Sequence, residues 1–212
     1  MNEIAKLLLE KKAVTLNTKE PYTFSSGIRS PIYCDNRSLA EFPTQRKKIV
    51  ESFIDKLKYY DFDVIAGTST AGIQWAAWIA YELEKPMAYV RGSAKKHGKG
   101  KQIEGADVDG RKVAVIEDLI STGGSSYDAV VSVRDNGGIV VGVFAIFTYN
   151  LNKAEEVFRQ GNSPVFTLAD FNSLMDAAEE LNYLTKEEIE IARQWNKDPV
   201  NWGPNNGFEN AE

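Results

Sequence analysis

Glu117 and Asp118 stand side by side after the apolar run Val113 to Ile116, and Leu119, Ile120 and then Ser121-Thr122-Gly123-Gly124-Ser125 follow them. Each residue type has a chemical use in this order. A short apolar run of this kind reads as a buried strand, and ligands of open α/β sheets bind beyond the carboxyl ends of such strands. Two carboxylates projecting there can accept hydrogen bonds from sugar hydroxyls. The small residues after them open a helix near Gly124, where free N–H groups and the positive dipole end favour a phosphate, glycines allow close approach and hydroxyls add donors. Adjacent acids beside a phosphate cradle describe a site for a ribose 5-phosphate. The ligand-free reading of the same turn is an ordinary strand-to-helix connection whose Asp, Gly and Ser serve only as caps. The GxxxxGK[ST] spacing of a P-loop is absent, and no GxGxxG opens a helix.

A second feature is electrostatic. The chain of 212 residues has a formal net charge of −5, yet Arg91 to Lys101, RGSAKKHGKGK, holds five basic residues, the single histidine His97 and no acid. General nucleic-acid binding is disfavoured by the acidic remainder, because phosphate neutralisation needs clustered positive charge. The basic segment reads either as a solvated linker with weak affinity for RNA or as a set of cations delivered to an anionic ligand. Gly92, Gly98 and Gly100 give it conformational freedom.

Stepping outward, apolar runs alternate with amphipathic stretches, as in βαβ units around a mostly parallel sheet. Strands are expected at Val64 to Ala66, Met87 to Val90, Lys112 to Ile116, Ile139 to Phe147 and Val165 to Leu168, giving a five-stranded sheet. Helices are expected over Thr44 to Tyr60 behind Pro43, near Ile73 to Leu83, from Gly124 to the stop at Asn136-Gly137-Gly138, and near Phe171 to Leu181 and Thr185 to Trp195. Asp170 and the Thr185/Glu188 pair announce the last two as caps. The turn Gly67 to Gly72, GTSTAG, joins the first of these strands to its helix. Residues 1–40 read as an N-terminal helix and hood segment, 41–195 as the α/β core with its closing helices, and 196–212 as a flexible tail.

Composition agrees with one α/β domain: 43% hydrophobic and 26% charged residues are near the globular average. The longest apolar stretch, Ile139 to Phe147, is too short for a membrane span, and the N-terminal Ile4, Leu7 and Leu8 form a helical stripe rather than a signal sequence. A single cysteine, Cys34, permits no internal disulfide and suits the reducing cytoplasm.

The full string from Ala114 to Ser126, AVIEDLISTGGSS, resembles the phosphoribosyl diphosphate (PRPP) signature of the type I phosphoribosyltransferases. Within that family, Tyr22 to Gly27, Ser30 to Arg37, Ala94 to Gly98 and Gln102 to Gly105 are similar to the orotate-using branch in its Gram-positive bacterial form, in the expected order over nearly the whole chain. The resemblance implies the family fold and transfer of the ribose 5-phosphate of PRPP to orotate, with Mg²⁺ bound chiefly through PRPP. It assigns Glu117 and Asp118 to the ribose, Leu119 to Ser125 to the phosphate, GTSTAG to the pyrophosphate, and Ser121 with Tyr33 to orotate. Arg91, Lys95 and His97 match basic residues that this family donates to the neighbouring subunit's site in a homodimer, with Lys95 and Asp118 the catalytic candidates. Another base, or a PRPP sensor without turnover, is the rival reading. Ser25, Ala71, Lys96 and Tyr149-Asn150-Leu151 depart from the family pattern. Arg29 or Arg37 then becomes a candidate for the orotate carboxylate.

Overall fold

The computed structural model describes residues 2–24, 26–92 and 102–209. The chain begins with helix α1 (Glu3–Glu10), short strands β1 (Val14–Leu16), β2 (Tyr22–Thr23), β3 (Arg29–Ser30) and β4 (Ile32–Cys34), and a 3-10 turn at Asn36–Glu41. There follow α2 (Pro43–Leu57), β5 (Val64–Thr68), α3 (Ala71–Glu82), β6 (Met87–Val90), β7 (Ile103–Gly105), β8 (Lys112–Ile120), α4 (Gly124–Asp135) and β9 (Ile139–Thr148). Helix α5 (Asn152–Gln160), β10 (Val165–Asp170), α6 (Phe171–Glu180), α7 (Lys186–Lys197) and α8 (Pro199–Asn205) complete it. Two compact units result: residues 42–168, and residues 1–41 together with 169–212.

The first unit is built on a six-stranded sheet in the order β10-β9-β8-β5-β6-β7. Strand β5 is parallel to both β6 and β8, with Ala66 opposite Ala88 on one side and Val115 on the other, and β8 is parallel to β9. All of β5 is buried, the expected state of a central parallel strand covered on both faces. Val64, Ala66, Val113, Val115, Val143 and Ala145 share one core with Ala129, Val130 and Val133 of α4. Gly137, at φ +81°, stops α4 where a residue with a Cβ would be strained. From β5 the chain moves to β6 on one side and later returns to β8 on the other. The sheet order therefore reverses between β5 and β8, and ligands of such sheets bind outside the carboxyl ends at that point.

The sheet has six strands among the described residues, not five. The added strand, β7, pairs antiparallel with β6 through Val90 opposite Ile103, and its three residues are too few to show a period in sequence. Strand β8 also runs on to Ile120, since Glu117 and Leu119 sit opposite Ala145 and Phe147 of β9. The two acids thus lie inside the strand rather than past its tip. Helix α5 escaped the sequence reading because only Ala154 and Phe158 of its nine residues are buried.

In the second unit, β1 pairs with β4 and β2 with β3, both antiparallel. Asp170 and the Thr185/Glu188 capping box start α6 and α7 as expected, and Asp170 forms a capping box of its own with Ser173. These closing helices group with residues 1–41 rather than with the sheet, and residues 199–205 are helical instead of a tail. One tie is long-range, the Trp195 indole N–H donating to the Arg29 carbonyl at 3.1 Å, and one is local, Trp202, 4% exposed, stacking on Phe208 at 5.9 Å.

Phe144 of β9 is fully buried, with the Phe166 and Tyr60 rings at 5.0 and 5.2 Å. Truncating such a side chain leaves a cavity and costs roughly 3–5 kcal/mol. Phe144→Ala is expected to show that loss in urea unfolding followed by circular dichroism.

Candidate active site

Two turns meet where the sheet order reverses. The first follows β8. Gly123 sits at φ +83° as the N-cap of α4, and a Cβ on it would come within 3.0 Å of the Phe158 ring and 3.3 Å of the Ala154 Cα. Both the backbone angle and the close approach of α5 demand glycine. Ser121 is half-buried, whereas Thr122, Gly124 and Ser125 are exposed. Leu119 is half-buried and Ile120 buried, fixing the loop's base in the sheet.

The second turn follows β5. Ser69 and Thr70 are exposed, the peptide between them is cis, and α3 starts at Ala71. Gly72 packs so closely on β8 that a Cβ there would lie 2.4 Å from the Ile116 carbonyl oxygen and 2.5 Å from the Thr68 hydroxyl. The turn is therefore wedged against the residue just before Glu117.

No side chain caps α3 or α4. Helices α2 and α5 also lack a side-chain cap, whereas Asn2, Asp170, Thr185 and Asp198 each accept a hydrogen bond from the first turn of α1, α6, α7 and α8. Helix N-termini left uncapped at a ligand crevice offer backbone N–H groups to anions.

The paired acids differ in environment. Asp118 is half-buried, but Glu117 is 5% exposed and turned inward. Its Oε1 accepts the Asp118 N–H at 3.0 Å and its Oε2 accepts the Ser126 hydroxyl at 2.9 Å. Burial, and secondarily the neighbouring Asp118 charge, push the Glu117 pKa up to about 8, while the nearby Thr68 hydroxyl acts in the opposite direction. Thr68 itself donates to the Ile116 carbonyl at 3.2 Å. Neither Ser126 nor Thr68 stood out in sequence. Their types were visible, but a partner nine residues away in sequence, or on another strand, was not.

Arg91 lies at the end of β6, where its N–H donates to the Gln102 carbonyl at 2.9 Å and its guanidinium approaches Glu104 at 3.8 Å. Lys95 and His97 fall outside the described residues. Tyr33, on β4 of the other unit, is 39% exposed with the Tyr22 ring 5.4 Å away. Arg37 donates to Asp35 at 2.7 Å and Arg29 to the Thr23 hydroxyl at 2.6 Å, so both arginines considered for the orotate carboxylate are already engaged. A cavity of about 510 Å³ lies beside the β8 loop, walled in part by Ile120, Thr148, Asn150, Leu151, Ala154 and Phe158.

Comparison with known proteins gives one consistent picture. A phosphoribosyl transferase domain profile matches residues 42–157. An orotate phosphoribosyltransferase of Listeria monocytogenes is 49% identical over 203 residues, covering 95% of this chain and 97% of the relative. That of Coxiella burnetii is 48% identical over 204 residues, covering 95% and 98%. Among solved structures, orotate phosphoribosyltransferase of Aeropyrum pernix superposes with a TM-score of 0.72 at 26% identity, over 86% of this chain and 99% of that one. The Mycobacterium tuberculosis enzyme in complex with 5-phospho-alpha-D-ribosyl 1-diphosphate gives 0.65 at 25% identity, over 82% and 97%.

The raised Glu117 pKa has a consequence for the ligand-free protein. In the unfolded chain the group ionises near its ordinary 4.5, but in the folded chain only near 8. Ionisation therefore favours unfolding, and stability present below the lower value is lost as pH rises towards the upper one. Thermal melts across this range are expected to fall with pH in the wild type, and Glu117→Gln is expected to flatten that fall.

Proposed function

The chain belongs to the phosphoribosyltransferase family, and from that premise we propose that it is an orotate phosphoribosyltransferase, joining orotate to the ribose 5-phosphate of PRPP with release of pyrophosphate. One observation carries the reading: an acid pair and two uncapped helix N-termini converge where the sheet order reverses. Near-half identity to orotate phosphoribosyltransferases over almost the entire chain supports orotate as the acceptor and pyrimidine nucleotide synthesis as the setting.

In this reading Asp118 and Glu117 accept hydrogen bonds from the ribose hydroxyls. Leu119 to Ser125 hold the 5-phosphate, and the β5–α3 turn holds the pyrophosphate. Ser121 and Tyr33 contact orotate. A ring nitrogen of orotate forms the new bond to ribose C1 as the C1–oxygen bond to pyrophosphate breaks, and the electron pair leaves with pyrophosphate. The ribose passes through an oxocarbenium-like state while the leaving group gains negative charge. Arg91, Lys95 and His97 lie in the segment suited to neutralise that charge, and cations contribute most when they act in the transition state.

Mg²⁺ is a hard cation that keeps waters and phosphate oxygens as ligands, so PRPP itself would carry it. When bound, the ion neutralises diphosphate charge. The proposal also includes a cytoplasmic homodimer acting on PRPP and orotate, without nucleic acid or membrane partners. The single cysteine, Cys34, is a buried free thiol, which suits a reducing compartment. Among the described residues, no helix is long and apolar enough to cross a membrane.

Loss of orotate absorbance in the presence of PRPP and Mg²⁺ tests the function directly. Turnover with adenine, guanine or uracil but not orotate would replace the acceptor, and PRPP binding without pyrophosphate release under any base would indicate a sensor. Asp118→Asn is expected to cut turnover by about 10²-fold or more, the usual scale for losing a preorganised polar contact. Wild-type rates in that variant would remove the ribose assignment.

Sharing of Lys95 between subunits has its own test. A Lys95→Ala subunit retains an intact Asp118, and an Asp118→Asn subunit retains an intact Lys95. In a two-fold dimer the mixed species has one site with both intact and one with both altered. Random exchange at equal amounts should restore roughly a quarter of wild-type activity under that symmetry. Demonstrated exchange without recovery would place the basic segment in its own subunit's site.

A further inference from the structure

Ser126 is 1% exposed and occupies the first turn of α4, yet its hydroxyl does not cap that helix. It donates instead to Glu117 Oε2 at 2.9 Å, back across the loop to strand β8. Thr68, the last residue of β5, reaches the same junction: its hydroxyl bonds the Ile116 carbonyl and acts on the Glu117 carboxyl. Gly72, just beyond the other turn, abuts Thr68 and Ile116 too closely for any Cβ. A single buried carboxyl thus ties together the end of β5, the middle of β8 and the start of α4.

We propose that Ser126 is a positioning residue of the PRPP site: by holding Glu117 it fixes the first turn of α4, and with it the phosphate loop, relative to Asp118 and to the turn that follows Thr68. The identity of the ligand rests on the proposed function; the junction rests on the geometry. PRPP is gripped at its 5-phosphate, its ribose and its diphosphate, so the spacing between these elements sets how many grips close together. Misplacement on the order of 1 Å in such arrangements costs about 10²-fold. The serine touches no reacting atom. Its effect is transmitted through the carboxyl it holds.

A double-mutant cycle separates positioning from mere packing. Ser126→Ala is expected to lower kcat/KM for PRPP roughly 10- to 100-fold, with KM for orotate unchanged. In a Glu117→Ala background the same change should cost less than about twofold, because the group it works through is gone. Equal losses in both backgrounds, or a wild-type KM for PRPP in Ser126→Ala, would overturn the inference. A second measurement needs no activity. The groups facing Glu117 are the Asp118 carboxylate on its own strand and the hydroxyls of Thr68 and Ser126. Without the serine donor the ionised carboxyl is disfavoured further, so the deficit in melting temperature of Ser126→Ala should widen as pH rises through about 8 and beyond, where Glu117 ionises in the folded wild type. A deficit constant with pH would mark a packing role and overturn the proposal. Failure of the wild-type chain to bind PRPP would overturn the function and the ligand named here, whereas additive losses with PRPP bound would overturn this inference alone.

Discussion

Burying an acid at the end of a parallel strand is unfavourable unless its oxygens find donors, and the way Glu117 finds them organises everything around it. One donor is the next residue's backbone N–H, and the other is the Ser126 hydroxyl on the helix after the loop. The next residue along the strand, Asp118, is only half-buried, and its charge still reaches the Glu117 carboxyl. One acid of the pair is inward and fastened, and its neighbour is more open to solvent. A carboxylate presented from a fastened strand is preorganised for sugar hydroxyls in a way that one on a loop would not be.

The same economy governs the helix N-termini. Capping side chains at α3 and α4 would stabilise both helices by about 1 kcal/mol each, and neither has one. Glycine at φ +83° adds conformational freedom to the unfolded chain and removes a further contribution. Helices α2 and α5 also lack such caps, but only α3 and α4 start at the two turns flanking the β5–β8 boundary. An anion arriving there supplies the missing partners, so ligand binding and folding are linked and stability rises with ligand concentration.

How much of this was legible in sequence depends on the range over which each feature is encoded. The acid pair, the glycine loop and the start of α4 are contiguous, and the capping boxes at Asp170 and Thr185 span three residues. Local chemistry suffices for these. Strand β7, with three residues, and α5, with two buried positions, carry too little periodicity to register. The helix at 199–205 follows from Trp202 and from ties between α7 and Arg29, contacts separated by most of the chain. Ser126 illustrates the boundary: its position in the motif was plain, but its partner became visible only when the strand and helix were set side by side.

Strand β7 also changes the meaning of the basic segment. Read in sequence, the stretch from Arg91 to Lys101 is a charge reversal in an acidic chain. In the fold, the residues on either side of it are paired: Val90 sits opposite Ile103, the Arg91 N–H donates to Gln102, and the Gln102 amide returns a bond to the Arg91 carbonyl at 3.0 Å. Glu104 then stands 3.8 Å from the Arg91 guanidinium, so the first cation of the series is partly neutralised by the strand that closes the loop. Closing a loop by pairing its ends costs entropy that grows only slowly with length. The flanks of the basic segment thus belong to β6 and β7, whereas the acids proposed for the sugar stand on β8, with β5 between them.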